Sequence, residues 1–231
     1  MENNMFTLGK KIGFAALLAL SATSANALVL DSFNYDVDLI ADGAGTVDTA
    51  TFTSVTDTTP AGDVTYTLTN AADANSFGGI TTNASFSGGQ LVYAEKPAVD
   101  GSLLLEYFDA DATSPIDLTD AGVSTNFYFD VDFADVGFTL DITVTDAFSN
   151  TSTAQYILDH TVTSSERVFL SFADFTGTAN FALVTNIDGL VNSNPGSDLI
   201  LSEVGTIPEP ATLAVFGLGL IGFAASRRKK S

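Results

Sequence analysis

The stretch Phe127-Tyr128-Phe129-Asp130-Val131-Asp132-Phe133, followed after a short break by Phe138-Thr139-Leu140-Asp141-Ile142-Thr143-Val144-Thr145, alternates apolar with polar residues. A period of two is the signature of a strand with one buried face, because successive side chains of an extended chain point to opposite sides. Phe127, Phe129, Val131 and Phe133 are expected to share the inner face, with Tyr128, Asp130 and Asp132 outside. Working outward, Val64, Tyr66 and Leu68 alternate with Thr65, Thr67 and Thr69, and further candidate strands lie at 29–37, 102–108, 154–158, 167–172, 179–185 and 199–204. That makes roughly nine or ten strands, bounded by turn signals. Asp42-Gly43, Gly78-Gly79, Gly88-Gly89, Asp100-Gly101, Asp188-Gly189 and Asn194-Pro195-Gly196 serve as the breakers. No long helical period interrupts them. The expected fold is all-β, an antiparallel β-sandwich of jelly-roll type in which two sheets bury their apolar faces against each other.

The 231 residues carry 28 acidic against eight basic side chains, and most of the basic ones sit at the ends. Between Leu28 and Thr206 only Lys96 and Arg167 face 26 acids, an interior net charge of −24. Such a field repels nucleic acid and anionic headgroups, so no nucleic-acid partner is expected. The absence of cysteine excludes disulfides, thiolate metal sites and a cysteine nucleophile.

The N-terminus reads as a signal helix. Lys10 and Lys11 precede the apolar run 12–20, and Ala25-Asn26-Ala27 supplies the small-x-small pattern of a cleavage site, which makes Leu28 the expected mature N-terminus. A buried N-terminal helix is the alternative. The domain plan is then a signal peptide at 1–27, an acidic sandwich at 28–206 and a tail at 207–231. In the tail, Pro208-Glu209-Pro210 leads into fifteen residues without a charge, 211–225, and then Arg227, Arg228, Lys229 and Lys230. A helix of that length extends about 22 Å against the roughly 30 Å of a bilayer core, a short transmembrane span. The basic cluster would stay cytoplasmic and leave the acidic interior outside. Prolines on both sides of Glu209 keep that segment extended, a backbone that a protease can grip.

These three contiguous parts resemble the PEP-CTERM sorting signal of Gram-negative bacteria, over 207–231 only. The resemblance implies passage through the secretory translocon, cutting by signal peptidase, transient membrane contact through the C-terminal helix, and recognition by a membrane-embedded exosortase. It further implies export across the inner membrane to the envelope, cell surface or extracellular matrix, and an association with exopolysaccharide and biofilm. An ordinary C-terminal anchor is the alternative reading of the tail. The interior, opening with Asp31-Ser32-Phe33 and passing through a Gly-Gly region, is similar to galactose-binding-like sandwiches, and no ligand motif carries over with that likeness.

Candidate chemistry is sparse, and no catalytic residue is expected. His160, the single histidine, has no partner histidine and no serine motif to form a triad with, so it is expected in a surface turn. Glu106 and Asp109 lack the patterned carboxylate pair that glycoside hydrolysis requires. Hard cations want several oxygen ligands, and Asp109, Asp111, Asp117 and Asp120 form the best candidate set for a structural calcium, with Asp130, Asp132 and Asp135 second. Solvated acids that provide solubility are the alternative. Tyr35, Tyr93, Tyr107, Tyr128 and Tyr156 are candidate sugar platforms in number only, and core packing is the usual fate of aromatic residues in strands, so no binding face is assigned to them. The expected role is a structural or adhesive surface or matrix protein, ahead of a carbohydrate-binding module and then a secreted glycoside hydrolase.

Overall fold

A computed structural model describes residues 27–43, 45–55, 62–73, 81–97, 99–107, 115–135 and 137–208. The expected signal helix, the uncharged run 211–225 and the basic cluster therefore lie outside the described residues. Among the described residues no helix is long and apolar enough to cross a membrane.

The chain enters β1 (Leu28–Asp31), β2 (Val37–Asp42), β3 (Val47–Val55), β4 (Gly62–Asp73), β5 (Thr81–Ser87), β6 (Gln90–Glu95) and β7 (Val99–Tyr107). It continues through β8 (Ser124–Ala134), β9 (Phe138–Asp146), β10 (Thr151–Leu158), β11 (Glu166–Ser171), β12 (Thr176–Gly177), β13 (Val184–Ser193) and β14 (Asp198–Pro208). All pair antiparallel. Sheet A runs β11-β8-β14-β6-β5-β2, with β1 added beside β14, and sheet B runs β12-β10-β9-β13-β7-β4-β3. The alternating runs explain the layering, since Phe127, Phe129 and Val131 of sheet A and Phe138, Ile142 and Val144 of sheet B all lie in one buried core.

Four local expectations are corrected. The run 29–37 is not one strand: the Asp31 carboxylate accepts the Phe33 amide at 2.7 Å, and Phe33 adopts φ +50°, so the chain turns between β1 and β2. Asp188-Gly189 and Asp100-Gly101 break nothing and lie within β13 and β7. Gly101 serves close packing there, because a Cβ would stand 2.6 Å from Glu95 Oε1 and 2.7 Å from Thr82 Oγ1. The run 179–185 is mostly loop, with β13 starting at Val184. Tyr128, on the outer face as expected, is nonetheless fully buried, because its ring lies over Gly205 and the Arg167 guanidinium covers it 4.1 Å from the centroid. By contrast Gly88-Gly89, with φ +62° and +80°, makes the expected tight hairpin between β5 and β6.

Two buried polar anchors fix the sandwich. Asp31 Oδ2 accepts the Tyr66 hydroxyl at 2.5 Å, tying the first strand of sheet A to sheet B. Burial outweighs the hydrogen bonds from Tyr66 and Phe33 and pushes the Asp31 carboxyl up to about 6. Glu95, also raised by burial, accepts the Tyr93 hydroxyl and the Gly101 amide.

Candidate functional site

On the outer face of sheet B the strands present a polar row. Thr65 of β4 stands opposite Glu106 of β7, Glu106 opposite Asp188 of β13, Asp188 opposite Thr143 of β9, and Thr143 opposite Thr153 of β10. At one end of this face lies an open depression of about 640 Å³, lined by Asp63, Thr65, Glu106, Thr145, Ser149 and Asn186 among others. Hydroxyls, an amide and carboxylates converge there, and none of the described lining residues is cationic. Burial raises Asp188, and the Asn186 amide, donating at 2.7 Å, partly offsets it.

The rim is the β9–β10 turn. Phe148, between the lining residues Ala147 and Ser149, is 71% exposed. Asp146 holds the turn: Oδ1 accepts the amides of Phe148 at 2.8 Å and Asn150 at 2.9 Å, and Oδ2 accepts the Asn150 side chain at 3.0 Å and the Asn180 amide at 2.9 Å. Desolvation alone would raise the Asp146 carboxyl, but these donors outweigh it and hold it at about 2. Ser149 completes the turn at φ +62°.

The other candidates are dispersed. Asp109 and Asp111 lie outside the described residues. Asp117 accepts hydrogen bonds from Thr119 and from the Ala121 amide within its own turn, where Asp120 adopts φ +46°. Asp130 grips Arg167 with two bonds of 2.6 Å, Asp132 accepts Ser165 and Gln90, and Asp135 accepts the Asp198 amide, so the three face different partners. Among the described residues no group of three or more His, Cys, Asp or Glu side chains is gathered as for a metal ion. His160 sits in an exposed turn against Asp159 and Glu166. Tyr35, Tyr66 and Phe52 stack inside, and Tyr93 and Tyr107 are buried, so these tyrosines are not exposed platforms. Tyr156 is partly buried and packs against the core.

Of the sorting residues, Pro208 ends β14 opposite Ser124, while Glu209, Pro210 and the cluster Arg227, Arg228, Lys229 and Lys230 lie outside the described residues. Ala25 does as well, and Ala27 and Leu28 open the described chain. Phe148, Asn186 and Asp146 were not singled out by sequence. The available signal was a large apolar residue in Ala147-Phe148-Ser149-Asn150, a polar turn where core packing has no use for it.

Residues 206–229 match the PEP-CTERM protein-sorting motif. The motif marks the chain as an exported, exosortase-sorted protein associated with the cell envelope. No curated protein matches the sequence. Among solved structures, the fold is similar to the family 30 carbohydrate-binding module of a cellulosomal cellulase of Clostridium thermocellum, with a TM-score of 0.44 and 13% identity over 80% of this chain and 98% of that one. It is similar as well to the family 11 carbohydrate-binding module of Clostridium thermocellum, described in complex with a mixed-linked β-1,3-1,4 tetrasaccharide, with a TM-score of 0.41 and 12% identity over 80% and 98%. An agarase is also similar, with a TM-score of 0.40 and 13% identity, and 56% of this chain spans 22% of that enzyme's length.

Proposed function

We propose that this exported, exosortase-sorted chain is a non-catalytic surface or matrix protein that adheres to a neutral glycan through the depression on sheet B. The observation that carries this reading is the depression itself, in which hydroxyl, amide and carboxylate groups converge beside a turn, held by Asp146, that leaves Phe148 exposed. A pyranose offers an apolar C–H face and a rim of hydroxyls; in this proposal the polar lining takes the hydroxyls and the exposed Phe148 of the adjoining turn takes the C–H face. The acidic lining, with no cation among its described residues, disfavours an anionic polysaccharide. The jelly-roll arrangement, the short membrane tail and an association with exopolysaccharide in a Gram-negative envelope belong to the same reading.

Affinity electrophoresis against neutral soluble polysaccharides tests it. Burying the Phe148 ring is worth about 2 kcal/mol. Phe148→Ala is therefore expected to weaken retention of the polysaccharide that the parent binds by about thirtyfold. Unchanged retention, or release of reducing ends by the parent chain, counts against the proposal. A structural calcium held by Asp109, Asp111, Asp117 and Asp120 would be a stabilising supplement. Its signature is a thermal midpoint that rises with calcium and falls with chelator, and an unmoved midpoint removes it.

A further inference from the structure

The last strand leaves the sandwich with almost no slack. β14 stays paired to its end, with Ile207 opposite Asn126 and Pro208 opposite Ser124. Only Glu209 and Pro210 then precede the uncharged run 211–225. A fully extended chain covers at most about 3.6 Å per residue, so the end of the ladder lies within about 11 Å of Ala211. The headgroup layer of a bilayer is itself about 5–7 Å thick on each side. Once 211–225 sits in a bilayer, a part of the proposed function on which this inference rests, the exit end of the sandwich is held in or against the headgroups.

Aromatic side chains gather at that same end. Beyond Ser171, which pairs with Asn126, a short 3-10 helix at Phe172–Asp174 begins. Phe172 packs 5.2 Å from Phe127 and 4.7 Å from Phe181, and Phe175 packs 5.1 Å from Phe181, yet all three later rings stay partly exposed. Val123, next to Ser124, is 44% exposed. The Ile116–Val184 bridge and the Leu118 amide on the Phe181 carbonyl tie this end to the matching end of sheet B, where Phe148 projects. The opposite end presents Lys96, Asp159 and His160.

We propose that the exit end of the sandwich is a bilayer-docking face, on which the tethered precursor rests through Phe148, Val123 and the Phe172–Phe175–Phe181 cluster. Aromatic rings favour the membrane interface. The short tether supplies a high effective concentration, so a weak contact suffices. Asp117, Asp120 and Asp174 lie exposed around this end and would repel an anionic surface, which points to zwitterionic lipid. Removal of the tail then frees the rim of the glycan depression together with the docking face.

The chain contains neither tryptophan nor cysteine, so single probes report cleanly. The full chain, reconstituted in phosphatidylcholine vesicles, would carry F148W, F175W or H160W, each combined with V215C bearing an environment-sensitive dye. The expected result is an inserted dye with F148W and F175W fluorescence quenched by brominated phosphatidylcholine several-fold more than that of H160W. F148W, at an exposed site, carries the test even where F175W fails to fold. Equal quenching of F148W and H160W with the dye inserted overturns the docking face and leaves the membrane tail standing. Quenching that requires co-reconstituted sorting protease assigns the face to that enzyme and overturns the lipid contact. A dye that remains in water overturns both.

Discussion

Gly205→Ala is expected to destabilise the sandwich by about 3 kcal/mol, the upper part of the range for overpacking. A Cβ at this position would stand 2.6 Å from the Tyr128 ring and hydroxyl, and closer still to the Leu28 carbonyl. Neither neighbour can yield cheaply. The carbonyl belongs to the backbone of β1, paired across Val29 and Gly205, and the ring is clamped by Arg167 above and by its hydrogen bond to Glu203 at 2.6 Å. The methyl group must therefore lift β1 off β14 or push Tyr128 into the Arg167–Asp130 pair. In a domain of this size such a loss corresponds to a thermal midpoint lower by roughly 10 °C. Differential scanning calorimetry reads it, and an unchanged midpoint would show that β1 contributes little to the fold.

Asp31→Asn is expected to remove a pH-dependent loss of stability of about 3 kcal/mol between pH 4 and pH 6. In the folded chain the Asp31 carboxyl is raised from 3.8 to about 6, chiefly by burial among groups that include Tyr66, Tyr107 and Tyr35. The folded state therefore binds more protons than the unfolded state in this window, and stability falls as pH rises through it. A shift of about two units amounts to about 3 kcal/mol, fully present below pH 3.8 and lost by about pH 6. Asparagine keeps an acceptor for the Phe33 amide and a donor for the Tyr66 oxygen while removing the charge. Glu95, Asp188 and Asp198 are also raised, so the comparison of parent with variant isolates the share of Asp31. Asp146 acts with the opposite sign, because its carboxyl is depressed to about 2 and its contribution is lost only as pH falls below 3.8. Urea unfolding from pH 4 to pH 7 separates the two. Parallel curves for parent and variant would mean that Asp31 is not the group being titrated.

These two positions also show where sequence reading reaches its limit. Alternation in 127–131 and 138–144 located strands and faces, because a one-residue slip would expose the phenylalanines, but it failed at Phe133, which lies outside the core where the ladder with β14 shifts register and Ala134 is buried instead. It could not show that Asp31 points inward, since a buried acid looks like any surface acid until its tyrosine partner, 35 residues away, is known. It could not show that Gly101 and Gly205 are packing positions within strands, because a glycine's role there is invisible until a neighbour's close approach is seen. The strands β3 and β5 escaped for a related reason: Thr-rich stretches such as Thr81–Ser87 alternate only weakly in hydropathy, and their neighbours fix them in the sheet. The candidate site was less legible still. Its groups come from β4, β7, β9 and β13, whose adjacency is a property of topology, and only Glu106 had drawn attention beforehand. The sorting tail lay at the other extreme, because Pro208-Glu209-Pro210, an uncharged run and a basic cluster are contiguous and need no fold to be read.

Delivery and processing at both ends of the chain are tested most directly by intact-mass spectrometry of the protein recovered from envelope and medium of its native host, with and without the exosortase. The predicted result is a chain that begins at Leu28 in both strains and loses the tail just beyond Pro208 only when the exosortase is present. A chain that retains 211–231 in both strains would contradict it and make the tail a permanent anchor.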